Sequence, residues 1–265
     1  MNPLQPQKSE YWLFPKIDDW ASFSCRVDLV CQFILDAILV KNPNLHVISL
    51  DEKTGIQAIE RRTGTAPTSK GGHQRIEYEY TRHGTTTLIA AVNVENGRLI
   101  NAHLGPTRTE IDYLNFVQQT VFGLPQMDKI VMLADQLNTH VSESLVRWIA
   151  EEQGYDEELG EKGKSGILKN METRKKFLER PEHRIRFVFT PKHCSWLNPI
   201  ENWFAKLQRH TIKNGNFISV KELESKIEAY IAFYNECLAK PLKWKFKGFD
   251  KARKLHNSYC QELMI

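Results

Sequence analysis

Between Asp18 and Val40 the apolar residues Trp20, Phe23, Val27, Val30, Ile34 and Ile38 recur at steps of three and four. That spacing predicts an amphipathic helix, which Lys41-Asn-Pro-Asn stops. "HVISLDEK" then has the composition of a strand, expected to end at Asp51. Residues 55–84 are polar and rich in Gly and Lys at their centre, between strand-like "GIQAIE" and "IEYEYTR". "TTTLIAAVNVENGRLINAHLG" predicts a hairpin turned at Asn96-Gly97. A helix is predicted from Thr109 to about Phe122, where Ile111, Leu114, Val117 and Val121 share one face. "KIVMLAD" is a continuous apolar run, the mark of a strand buried on both faces, and Asp135 stands at its exit.

A further helix is predicted over 141–153, with Leu145, Val146 and Ile149 inward. Residues 154–183 form a charged, helix-prone insertion, and "RIRFVFTP" is the next strand. Two helices are predicted at about 198–211 and 219–236, followed by the basic aromatic tail "KPLKWKFKGF". An antiparallel hairpin region followed by alternating strand and helix predicts an α/β fold, a mixed sheet with helices on both faces. The succession matches the ribonuclease H-like fold, in which the first and fourth strands are neighbours. Asp51 and Asp135 would then meet at one sheet edge. The expected organisation is a lead-in and linker helix (1–44), a catalytic domain (45–236) with its insertion, and a basic tail (237–265).

Composition changes this picture little: 41% hydrophobic and 26% charged residues in 265 suit one large domain with its own core. Five scattered cysteines without a CxxC pair argue against structural zinc and suggest reduced thiols in a cytoplasmic setting. No apolar run is long enough to predict a membrane span, and no signal peptide is legible. Charge adds more. From Phe204 to Asn257 there are 12 Lys/Arg against 5 Asp/Glu, a local +7 within a chain whose net charge is +4. A basic C-terminal third on a near-neutral body suits a polyanionic partner, and equally a solvated face with no partner.

The candidate chemistry lies in three acidic residues: Asp51, Asp135 and Glu201, the last in the first turn of a predicted helix. Each has an ordinary explanation alone. Strand-ending aspartates commonly start turns. Asn198, Pro199 and Glu201 fit N-cap, N1 and N3 of a capping box. Together the three would form an oxygen-only site for hard divalent cations. Two Mg²⁺ ions, with Mn²⁺ as substitute, could share Asp51, with Asp135 on one and Glu201 on the other, and serve phosphodiester chemistry. Lys53, His140, Lys192 and His193 could touch phosphate, as could Lys206 and Arg209 in the basic third; each also reads as local packing or a solvated position. Lys70, His73 and Arg75 could contact a nucleic-acid backbone, whereas Trp196 and Trp203 read as packing residues.

At these residues the chain resembles the DDE transposases of bacterial insertion sequences related to the mariner superfamily. The matching phrases are "SLDEKTGIQAIER", "YTRHGTTTLIA", "GPTRTEIDYLNFV", "DQLNTH", "KSGILKNMETRKKFL" and "HRIRFVFTPKHCSWLNPIENWFAKLQR". The pairing of "DQLNTH" with "TPKHCSWLNPIE" is the most specific. The resemblance runs from about Tyr11 to Phe249. It implies a ribonuclease H-like domain that cuts transposon ends and joins them to target DNA. Carried over, it places the catalytic, metal-holding triad at Asp51, Asp135 and Glu201, and Asn198 among the DNA contacts. It also implies self-association on paired DNA ends. The spacer between Asp135 and Glu201 is 65 residues, longer than in many relatives, and the insertion accounts for most of the difference. Relatives begin with helix-turn-helix modules, which the residues before "HVISLDEK" do not offer. The expectation is a catalytic domain whose sequence-reading half is missing or supplied by an upstream polypeptide; a DNA-binding remnant and a stand-alone metal-dependent nuclease are the alternatives.

Overall fold

A computed structural model describes residues 17–61, 65–66, 75–76, 79–213 and 215–249. Its strands are β1 (Leu45–Arg61), the two-residue β2 (Thr65–Ala66) and β3 (Arg75–Ile76), β4 (Tyr80–Asn93), β5 (Leu99–Gly105), β6 (Lys129–Ala134) and β7 (Ile185–Phe189). β2 and β3 pair only with each other; the rest form a sheet of order β5-β4-β1-β6-β7. β4 runs antiparallel to β1 and β5, whereas β1, β6 and β7 are mutually parallel. The hairpin turns at the predicted Asn96-Gly97, where Gly97 takes φ 73° and its N–H donates to Asn93 O at 2.8 Å. A residue with a Cβ is disfavoured in that left-handed conformation.

Alternation along the strands divides the core between two faces. Ile48, Leu50, Met132 and Phe187 lie under α2 (Glu110–Phe122), α3 (Glu143–Glu152) and α4 (Met171–Leu178). On the opposite face Val47, Leu133 and Val188 pack against α1 (Trp20–Leu39). Beside them Ala58, Leu88 and Ala90 pack against α5 (Ile200–Leu207) and α6 (Val220–Phe233). Local chemistry sets the helix starts: Asp19 accepts from Ser22 N–H at α1, and Thr109 and Asp112 form a capping box at α2.

Two expectations are corrected. β1 does not stop at Asp51 but runs on to Arg61 against β4, with Asp51 opposite Ala90. What ends near Asp51 is the parallel pairing with β6, whose last partners are Ser49 and Leu133. "GIQAIE" is thus the far half of one bulged strand. The insertion is mostly irregular, with a single 3₁₀ turn (Ile167–Lys169) and α4. In the described part of the tail Leu242, Trp244, Phe246 and Phe249 pack against the α1 core, and Phe249 N–H donates to Asp28 at 2.8 Å. Lys243, Lys245 and Lys247, alternating with them, stay exposed.

Among the described residues Cys194 and Cys237 carry free thiols. Among the described residues no helix is long and apolar enough to cross a membrane.

Candidate active site

Asp51 lies where β6 ceases to pair with β1, and Asp135 follows the last residue of β6. The parallel register therefore brings both carboxylates to one edge. Asp51, Asp135 and His140 each offer a ligand atom within 4.8 Å of the others. His140 is not free to bind a metal. Its Nδ1 meets Asp135 Oδ1 at 2.7 Å, its Nε2 meets Glu52 Oε2 at 2.8 Å, and its ring stacks on Tyr113 at 4.3 Å. Burial would lower its pKa, but the bonds and charges of Asp135 and Glu52 outweigh that and push it up to about 10. The imidazolium is thus a fixed cation clamped between two carboxylates.

Its effect on the two aspartates is unequal. Asp51 is raised to about 7, first by burial and then by the charge of Asp135. Asp135 is also desolvated, but the hydrogen bond and charge of His140, with Leu137 N–H donating at 3.0 Å, hold its carboxyl below the usual range. One edge therefore carries an ionised carboxylate beside another that resists ionising despite the nearby imidazolium.

Glu201 faces this pair from the first turn of α5. Burial raises its pKa, Lys53 opposes the shift, and Asp135 adds to it, although Glu201 is not in the close cluster of Asp51, Asp135 and His140. The start of α5 corrects the expected capping box. Asn198 does not cap the helix. Its Nδ2 donates to Leu50 O at 3.0 Å and to Asp51 Oδ2 at 3.2 Å, while its Oδ1 accepts from Ser49 Oγ. Ser49 supplies the helix-start contact instead, accepting from Ile200 N–H at 2.8 Å.

Two expected phosphate contacts are turned inward. His140 and Asn198 are 0% and 1% exposed and fully engaged inside the protein, so neither can meet a nucleic-acid backbone. Lys192, His193 and Arg209 are exposed, and Lys53 is half-buried beside Glu201. Lys206 lies over the Tyr234 ring at 5.4 Å. Trp203 is core as expected, but Trp196 is half exposed against Phe246. Lys70 and His73 and the side chain of Arg75 lie outside the described residues.

Sequence reasoning missed Ser49 and Glu52. Glu52 had a signal: alternation places it on the face of Ile48 and Leu50, where a charge requires a buried partner.

The strand order and the meeting of acidic residues where parallel pairing ends define a ribonuclease H-like α/β domain. The chain belongs to the DDE superfamily endonuclease family, whose sequence model matches residues 46–224, more than half of the chain. Among solved structures it is similar to the Mos1 transposase paired-end complex with left transposon end, with a TM-score of 0.52 and 14% identity over 88% of this chain and 62% of that one. It is similar also to the Mos1 mariner paired end complex with Mn, with a TM-score of 0.51 and 14% identity over 88% and 63%. The chain thus spans under two thirds of these two Mos1 chains. No curated protein matches it.

Proposed function

We propose that this chain is a transposase catalytic domain that cleaves phosphodiester bonds at transposon ends and transfers the strands into target DNA, with Asp51, Asp135 and Glu201 as its triad. The observation carrying this reading is the meeting of Asp51 and Asp135 at the sheet edge, beside the helix that bears Glu201, in a member of the DDE family.

The donor set fits hard divalent cations. It is all oxygen once His140 is set aside, and Asp51 resists ionisation for reasons that a dication beside it would remove. Asp51, Asp135 and Glu201 would hold two Mg²⁺ ions, with Mn²⁺ substituting; the presence of Mn in a Mos1 complex supports this. When bound, such ions would supply Lewis acidity at the reacting phosphate and lower the pKa of attacking water. The protein's own residues position: Asn198 and Glu52 N–H orient the Asp51 carboxylate, and His140 fixes that of Asp135. In-line phosphoryl transfer needs such pre-set geometry more than a tuned base.

Partners on this reading are transposon-end and target DNA, a second copy of the chain, and an upstream helix-turn-helix polypeptide; the Mos1 paired-end complex with transposon-end DNA supports the first. The compartment is the cytoplasm, at the nucleoid when DNA is bound. Phosphate contacts fall to Lys53, Lys192, His193, Lys206 and Arg209.

The test is incubation of a labelled duplex carrying the element's terminal repeat with Mg²⁺ or Mn²⁺ at low salt, with Asp135→Asn as control. Cleaved and joined products that vanish in the variant are expected. Cleavage without joining assigns a stand-alone nuclease. DNA binding with neither, even when the helix-turn-helix polypeptide is added, assigns an inactive remnant.

A further inference from the structure

The long spacer between Asp135 and Glu201 builds one wall of a cleft of about 1010 Å³ that the triad does not use. The opposite wall is the first half of α1, and the floor is formed by Arg186 of β7 and the 191–193 loop. Gln136, the residue after Asp135, lines the same cleft, with its Nε2 tied to Thr190 O at 2.7 Å. The cleft is therefore continuous with the acidic edge.

Its inner end carries excess positive charge. Arg26 and Arg186 share one residue, Glu179: Arg26 pairs with its carboxylate and Arg186 Nε donates to its carbonyl at 2.8 Å. Lys175 and Lys192 stand beside them. Lys175 is half-buried with no carboxylate of the described residues in ion-pair range, and its ammonium rests over the Phe189 ring at 5.8 Å. Burial, then Arg26 and Lys192, depress its pKa to about 8 against the weaker pull of Glu179 and Glu172. Six Lys/Arg side chains line the cleft against four Asp/Glu, an excess of two positive charges, and one of the acids, Glu172, is already paired with Lys176 at 3.0 Å. Asp18 and Asp19 lie on the α1 side, where Asp19 caps that helix.

We propose that this cleft seats non-reacting phosphates of the DNA strand flanking the cleavage point, with Lys175 and Lys192 as the contacting cations and α4 as the wall. The volume suits a short run of backbone, and the lysine pair supplies the counter-charge such a run lacks. The role this gives the spacer is to hold the strand in register with the acidic edge. The inference rests on the reading of the chain as a DNA-processing domain.

The test measures binding of a labelled random-sequence duplex in EDTA as a function of salt, for the wild-type chain, for Lys175→Gln/Lys192→Gln and for Lys41→Gln/Lys164→Gln. The second pair removes the same charge from exposed positions away from the cleft. The first pair is expected to make the slope of log K against log salt shallower by about 2, one unit per lost phosphate contact, while the second pair leaves it unchanged. Equal slopes for all three proteins, with wild-type binding intact, would overturn the cleft and leave the functional reading standing. A wild-type chain that binds no DNA overturns both. Thermal melts of each variant separate lost contacts from lost folding.

Discussion

Asn198 Nδ2 donates to Asp51 Oδ2 at 3.2 Å across the junction between β1 and α5. The same side chain accepts from Ser49, whose hydroxyl accepts from the first N–H of α5. One buried amide therefore couples the orientation of a strand carboxylate to the helix that carries Glu201. This network is the link between Asp51 and the helix of Glu201, two of the three residues proposed as the triad, because residues 51 and 201 are far apart in sequence.

Asn198→Ala leaves Leu50 O and Asp51 Oδ2 without their donor in a buried site. A destabilisation of about 1–3 kcal/mol is expected in chemical denaturation, with cleavage reduced even at saturating Mn²⁺. Asn198→Asp sets a second carboxylate against Asp51. It should lose more stability than the alanine variant in EDTA near neutral pH and recover more on adding a divalent cation. Equal behaviour of the two variants would show that the amide does not orient Asp51.

Ser49→Ala removes the acceptor that meets Ile200 N–H, and a loss of about 1 kcal/mol is expected, as for other helix-start contacts. If Ser49 positions Glu201, kcat should fall while DNA affinity holds; an unchanged kcat would make Ser49 purely structural.

His140→Ala strands Glu52, whose side chain is 1% exposed, as an unpaired buried charge. Breaking such a pair typically costs about 3–5 kcal/mol. Glu52→Gln in the same chain should restore part of the loss, because the buried group is then neutral. A double-mutant cycle of thermal melts reads the coupling; additive losses would mean that the clamp contributes no stability.

The pH dependence follows from two raised pKa values and one lowered one. Asp51 moves from 3.8 to about 7 on folding, so between those values the folded state holds the extra proton and stability falls as pH rises. His140 moves from 6.5 to about 10, so its contribution is complete below 6.5 and is lost as pH rises through 10. Lys175, lowered from 10.5 to about 8, acts in the opposite sense above about pH 8 and offsets the upper part of the His140 window, so metal-free protein should lose stability from about pH 4 to about pH 8. Asp51→Asn should flatten the lower window, and Mg²⁺ or Mn²⁺ should flatten it in the wild type by favouring the ionised carboxylate. Melting temperatures across pH, in EDTA and in Mn²⁺, test this; a metal-free lower window with no slope would count against it.

Periodicity alone located most of the fold. The steps of three and four over 20–39 make α1, Asn96-Gly97 turns the hairpin, and "KIVMLAD" forms a central strand. These are short-range properties, set by side-chain spacing and turn chemistry within a few residues. The acidic candidates were legible in the same way, since Asp51 and Asp135 follow runs whose strand character is local. Tertiary structure decided what depends on partners distant in sequence. β1 passes through Asp51 because β4 offers hydrogen-bond partners up to Arg61, although β6 does not. Asn198, a plausible helix cap by spacing, turns to β1 because Ser49 and Asp51 offer it buried partners. His140 lies inside because Glu52 and Asp135 together offset the cost of burying its charge. Those partners come from different stretches of chain, and only packing the sheet against its helices brings them within reach.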